Sequence, residues 1–238
     1  MDRSYFTDSK NLFDEYTVRL VNKLISQHVI DEIDTEISVG KEAVVYKGKV
    51  ANEIVAIKIF RVKSCNFKKI YDYISQDPKF SVALKNKGKI FLEWVKREFR
   101  NMLIAYRNNV SVPRPIAHRE YVIVMEFIGD DMPARQLKNH HPQDPENFFK
   151  LIIDNYKRLV LDGKIVHGDL SEFNILNYRD IPVFIDFSQG TEVNSSLGLQ
   201  LMKRDIEKIC RFFSKFFETD ENKIYFEILD ELKKRRIL

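Results

Sequence analysis

Apolar residues along the chain recur first at a spacing of four. Leu12, Tyr16, Leu20 and Leu24, with Val21 and Ile25 beside them, predict an amphipathic helix ending near His28. From Ile33 the pattern changes to short β-type runs, and Glu36–Val39, Val44–Lys47 and Ile54–Phe60, with a turn at Ala51-Asn52, predict strands joined as hairpins. Helical spacing returns over about 91–107 in Phe91, Trp94, Val95, Phe99 and Met102, until Val112-Pro113-Arg114-Pro115 stops it. The intervening residues 62–90 mix charges, aromatics and a Lys/Asn/Gly cluster at 85–89, so a partly helical insertion is expected there.

Ile116–His118 and Tyr121–Phe127 read as two further strands and lead into the polar connector Gly129-Asp130-Asp131-Met132-Pro133. That connector is the expected boundary between two lobes, 1–128 and 129–238. Beyond it, Phe148 to Val160 is an apolar periodic helix for which Asp162-Gly163 predicts a glycine stop. Short strand-like runs follow at Ile165-Val166, Ile175-Leu176 and Val183–Ile185, and two helices close the chain over about Leu199–Phe217 and Ile224–Arg236. The pattern is α+β, with an antiparallel first half and a mostly helical second half.

Composition narrows the class. With 238 residues, 44% apolar and 31% charged, the chain is globular rather than disordered, collagen-like or a coiled coil. Cys65 and Cys210 stand apart, outside any Cys/His cluster, which argues against a disulfide framework or a structural zinc site. No apolar run reaches the roughly 18 residues that span a bilayer, and Met1-Asp2-Arg3-Ser4 lacks a signal-peptide pattern. A cytoplasmic protein without a membrane partner is expected. The net charge of +4 is too small to argue for nucleic acid, but residues 61–100 hold 11 Lys/Arg against 4 Asp/Glu, so the excess is local.

The segment richest in chemistry is His167-Gly168-Asp169-Leu170-Ser171-Glu172-Phe173-Asn174, whose spacing is H-x-D-x-x-x-x-N. In phosphoryl transfer such a loop offers the Asp to an incoming hydroxyl or water and the Asn oxygen to Mg²⁺. Twelve residues on, Val183-Phe184-Ile185 delivers Asp186 to the end of a short apolar run, and Ser188 stands where D-F-G carries its glycine. Asp186 with Asn174 supplies the hard oxygen ligands that Mg²⁺ prefers. Upstream, Val55-Ala56-Ile57-Lys58 reproduces V-A-I-K within a predicted strand, and a lysine among apolar neighbours needs an anionic partner. ATP phosphates and Glu98, on the predicted helix, are the candidates. Ser38–Val45 aligns with G-x-G-x-x-G-x-V but retains only Gly40, and Met125-Glu126-Phe127-Ile128 ends a strand where backbone groups are able to meet an adenine ring.

Joined in order, these segments make a complete phosphotransfer set, and the chain resembles a protein kinase. Val39-Gly40-Lys41-Glu42-Ala43, Tyr71–Phe80, His167–Leu176 and Ile185-Asp186-Phe187-Ser188-Gln189 are more narrowly similar to the RIO family of atypical serine kinases. Tyr71–Phe80 points to its first subfamily, since the second carries an N-terminal winged helix for which the residues before Ile33 leave little room. The resemblance implies a trimmed two-lobed kinase-like fold lacking peptide-docking subdomains. It implies a nucleotide site formed by Val39, Gly40, Lys41, Ala56, Lys58, Glu98, Met125, Glu126, Ile128, Asn174 and Asp186. Lys58 would be the phosphate-binding lysine, Glu98 its partner, Met125 the gatekeeper, Glu126 and Ile128 the hinge, and Asp169 the catalytic acid/base. Asn174 and Asp186 would hold Mg²⁺ or Mn²⁺, and Asp186 would also accept phosphate as an aspartyl phosphate. Family members act in maturation of the small ribosomal subunit, largely as ATPases, so a ribosomal precursor and its rRNA are the implied partners, with 61–100 as the facing surface.

Two alternatives share parts of this pattern. Aminoglycoside and choline phosphotransferases also carry H-G-D-x-x-x-x-N and a following I-D, but lack Tyr71–Phe80 and need a sizeable helical insertion for the acceptor, whereas 52 residues follow Asp186. A nucleotide-gated assembly factor would use ATP binding without transfer. Against a conventional peptide kinase, no Ala-Pro-Glu occurs and no proline follows Pro182, so water, Asp186 or a flexible serine such as Ser75 or Ser81 is the expected acceptor.

Overall fold

The structure, a computed structural model, describes residues 15–61, Ile70 and residues 87–238. Tyr71–Phe80, most of the basic insertion, Cys65, Ser75 and Ser81 lie outside the described residues.

Helix α1 (Glu15–Ser26) precedes β1 (Glu32–Val39), β2 (Ala43–Val50) and β3 (Glu53–Phe60). The β2–β3 turn is two residues, Ala51 and Asn52, both at positive φ (48° and 69°), the geometry whose twist matches a tight hairpin. Helix α2 (Lys87–Arg107) begins four residues before the sequence pattern indicates. It is followed by β4 (Pro115–Arg119) and β5 (Val122–Glu126). These five strands form one antiparallel sheet in the order β1-β2-β3-β5-β4.

The sheet's two faces belong to different cores. Val55, Ile57, Ile59, Val122 and Val124 pack with Leu20, Val21 and Leu24 of α1. Phe60 and Ile123 join Phe91, Trp94 and Val95 of α2 in a core that continues to Phe213 and Leu232. Period-two alternation therefore puts Ala56, Lys58 and Phe60 on the α2 side of β3.

The remainder comprises β6 (Arg135–Gln136), α3 (Pro145–Leu161), β7 (Ile165–Val166), β8 (Ile175–Tyr178), β9 (Ile181–Phe184), β10 (Thr191–Glu192), α4 (Gly198–Phe213) and α5 (Glu221–Lys234). The Asp144 side chain caps α3 by accepting from Asn147 N, with Pro145 at the first helical turn. The expected glycine stop takes another form: Lys164, not Gly163, adopts the left-handed conformation (φ 57°). Gly163 is required for space, since a Cβ there would lie 2.6 Å from the Leu159 carbonyl. Strands β6 and β10 are two residues each, too short to leave a periodic signal, yet β10 pairs with β7 and β6 with β8, which fixes both flanks of the catalytic-type loop 167–174.

Candidate active site

Lys58 reaches from β3 toward α2, and its Nζ lies 2.6 Å from Glu98 Oε1 and 3.6 Å from Asp186 Oδ1. One cation thus meets two carboxylates contributed by a helix and by the loop after β9. Burial works against the lysine's charge, but Asp186 and Glu98 hold its ammonium above the ordinary value. The carboxylates divide by environment. Glu98 is 4% exposed; burial pushes it up against the pull of Lys58, and Asp186 adds to the rise, to about 7. Asp186 keeps 42% of its side chain exposed, and although its enclosure acts to raise it, Lys58 and Ser188 hold its carboxyl below the usual range. Asp186 also adopts φ 64°, a left-handed conformation that Asp tolerates better than most residues and that concentrates at functional sites.

The second half of the site is the loop between β7 and β8. Asn174 donates its amide to the Asp169 carbonyl at 2.8 Å and more weakly to Asp169 Oδ2 at 3.4 Å. Ile185 N donates to the Asn174 carbonyl at 3.0 Å, tying this loop to the segment that carries Asp186. Asp169 Oδ1 pairs with Lys208 at 2.7 Å, and Oδ2 accepts from Gln189 at 3.2 Å. Gly168 has φ 79°, and a Cβ there would lie 2.5 Å from the Gln189 carbonyl, so neither the backbone nor the space admits a side chain.

A divalent cation fits this donor set. The Asn174 Nδ2 is occupied by Asp169, which turns the amide oxygen away as a neutral ligand, and Asp186 offers a half-open ionised carboxylate. Among the described residues no group of three or more His, Cys, Asp or Glu converges. One carboxylate and one amide suit a Mg²⁺ that completes its shell with water and phosphate oxygens. Glu98 Oε2, on the carboxylate paired with Lys58, is buried without a hydrogen bond.

The remaining sequence candidates distribute around this centre. Ala56 pairs with Met125 across β3 and β5, and Val55 with Glu126. At the strand end, Glu126 N is taken by the Arg114 carbonyl and the Ile128 carbonyl by Ala134 N, whereas the Ile128 N–H carries no hydrogen bond to any described residue. Gly40 closes the β1–β2 turn by donating to the Ala43 carbonyl at 2.8 Å, with Val39 exposed beside it and Lys41 exposed after it. Among the described residues no hydrogen bond or ion pair joins Val39, Gly40 or Lys41 to Lys58, Glu98 or Asp186.

Several residues that organise the site escaped the sequence reading. Asp205 of α4 is fully buried and accepts from Gly168 N at 2.8 Å, Leu170 N at 2.9 Å and Tyr156 OH at 3.0 Å. Burial keeps its carboxyl above the ordinary value although His167 and these donors pull it down. Arg204 donates to the Gly168 carbonyl. His167, the first residue of the loop motif, places its Nε2 3.0 Å from the Ile185 carbonyl. On α2, Arg97 and Asn101 are buried and both donate to the Gly190 carbonyl. The available signal was polar residues on an apolar stripe: Leu201, Asp205 and Ile209 share one face of α4, and Trp94, Arg97 and Asn101 one face of α2.

Comparison with known proteins places this geometry. Residues 44–225 match the RIO domain model. The RIO-type serine/threonine-protein kinase Rio1 of Methanocaldococcus jannaschii is 38% identical over 89% of this chain and 74% of its own length, and that of Haloferax volcanii is 34% identical over 89% and 73%. Among solved structures, a Rio2 kinase–ADP/Mg²⁺–phosphoaspartate complex from Chaetomium thermophilum superposes with a TM-score of 0.67 at 22% identity. That likeness covers 89% of this chain and 64% of the Rio2 chain, and it shows the shared fold.

Proposed function

The chain belongs to the RIO-domain family, and on that footing we propose that it is a Mg-ATP-dependent serine/threonine kinase of the RIO type that also hydrolyses ATP. The observation that carries the reading is Lys58 held between Glu98 and Asp186, with Asp169 and Asn174 tied to the same loop segment. Lys58 meets the ATP phosphates, oriented by Glu98. Ile128 N–H and the Glu126 carbonyl take the adenine edge behind Met125 and Ala56, and Val39, Gly40 and Lys41 cover the phosphates. Asn174 and Asp186 would hold Mg²⁺, or Mn²⁺, which would supply positive charge against the ATP phosphates. Asp169 accepts the proton of the attacking hydroxyl or water. The domain division at 128/129 follows the same two-lobed reading.

Asp186 is also the proposed first acceptor. Its carboxylate oxygen attacks the γ-phosphorus, the bond to the β,γ-bridging oxygen breaks, and ADP leaves with the electron pair. Water then attacks the acyl phosphate, passing its proton to Asp169 and regenerating Asp186. The ionised, half-open carboxylate supports this, as does the phosphoaspartate of the Rio2 complex. The family likeness, with the basic 61–100 segment, supports a place in small ribosomal subunit maturation in the cytoplasm, with precursor rRNA as partner.

Single-turnover reaction with γ-labelled ATP tests the reading. Label is expected on the protein in a hydroxylamine-sensitive form and as free phosphate. Transfer to a small alcohol or amino sugar would instead identify a small-molecule kinase, and tight ATP binding without any turnover would identify a nucleotide-gated assembly factor.

A further inference from the structure

Helix α4 grips the loop around Asp169 at three points. Asp205 accepts the backbone N–H groups of Gly168 and Leu170, the residues on either side of Asp169, at 2.8 and 2.9 Å. Arg204 donates to the Gly168 carbonyl. Three residues beyond Asp205, on the same side of the helix, Lys208 extends its Nζ to 2.7 Å from Asp169 Oδ1. The backbone anchors fix where the loop stands relative to α4, so the lysine–carboxylate contact is set by the fold and not by two free side chains finding each other.

This matters because of what else engages Asp169. Its Oδ2 already receives Gln189 at 3.2 Å and Asn174 at 3.4 Å, both on the side facing the loop of Asp186. Those two amides constrain one oxygen, and rotation about the Cβ–Cγ bond would exchange the two. Lys208 constrains the other. The carboxylate is thereby held in one rotamer plane, with one lone pair, on Oδ1, left for an incoming O–H. Lys208 and Asp169 keep 26% and 35% of their side chains exposed, so the pair stands open to solvent on one side. An ammonium there also offsets the Asp169 charge before an anionic triphosphate arrives beside Asp186.

We propose that Lys208, contributed by α4 from outside the H-x-D-x-x-x-x-N loop, is the positioning residue that fixes the Asp169 carboxylate for proton acceptance. The inference rests on the phosphotransfer reading above. Lys208 acts on the chemical step through Asp169, leaving the Lys58 end and the adenine edge untouched. Nothing in the loop itself supplies this charge, since residues 167–174 contain neither Lys nor Arg.

The test is a double-mutant cycle on the full chain, measuring Mg-dependent phosphate release. Lys208→Met is expected to lower kcat between about 10- and 100-fold, less than the roughly 10²–10⁴ contributed by a general base, with KM for ATP within about twofold. Lys208→Arg, which restores the donor, should recover most of the loss. In an Asp169→Asn background Lys208→Met should produce no further loss, because its effect passes through that carboxylate. Full kcat in Lys208→Met, or an equal loss in both backgrounds, would overturn the proposal. Thermal unfolding of Lys208→Met is expected to match wild type, and failure of Arg to rescue a variant with lowered melting temperature would reassign the residue to packing. Absence of turnover in the wild-type protein would instead strike at the phosphotransfer reading.

Discussion

Asn101 on α2 donates its amide to the Gly190 carbonyl at 2.8 Å, four residues past Asp186 in the chain. The same amide reaches the Phe187 carbonyl at 3.1 Å, and Arg97 Nε reaches Gly190 at 2.9 Å. The helix that carries Glu98 is therefore bolted to the loop that carries Asp186, and the distances from Lys58 to both carboxylates are set together. Buried backbone carbonyls demand such partners, because leaving one unpaired costs about 1–3 kcal/mol.

Asn101→Ala is expected to destabilise the fold by about 1–3 kcal/mol and to lower ATP turnover through misplacement of Glu98 against Asp186. Urea unfolding and steady-state phosphate release measure the two effects. Loss of stability with full turnover would mean that Asn101 serves packing alone.

Asp186→Ala should bring Mg-dependent ATP turnover to background and remove acyl-phosphate label from the protein. Asn174→Ala should be milder, since it removes a neutral ligand and leaves the carboxylate. Near wild-type turnover in Asp186→Ala would refute the assignment of this centre as the phosphotransfer site.

Glu98 makes the fold's stability depend on pH in a definite direction. Its carboxyl is raised from an ordinary 4.5 to about 7, so between those values the folded chain retains a proton that the unfolded chain releases. Its contribution is full below about pH 4.5 and declines as pH rises toward 7. The stability difference between wild type and Glu98→Gln, read from urea midpoints at pH 5 and pH 7.5, should therefore shift against wild type at the higher pH. A difference that does not change with pH would show that Glu98 titrates as it does in water.

Generic peptides should be poor acceptors. Only 187–197 separates Asp186 from α4, and this stretch is committed: Gly190 to Arg97 and Asn101, Thr191 and Glu192 to β7, and Val193 N to the Lys164 carbonyl. A segment so fastened leaves little chain for a docking groove. Incorporation into a basic peptide at an ordinary kinase rate, about 1–100 per second, would contradict this.

Local order determined much of the protein. The apolar run through Lys58 and the apolar helix before Asp162 needed only neighbouring residues, as did the spacing of Asp169 and Asn174, which are joined by a bond spanning five positions. Those features were legible because their physics is short in sequence. Folding decided what spans longer separations. Lys58 finds Glu98 across 40 positions, and Asp205 binds the residues flanking Asp169 across 35 and 37. Asp205 reads in isolation as an interruption of an apolar stripe, and Arg97 as one more charge on a basic helix. Each acquires its meaning only when packing removes water and obliges a buried polar group to find its partner in whatever element the fold has brought beside it.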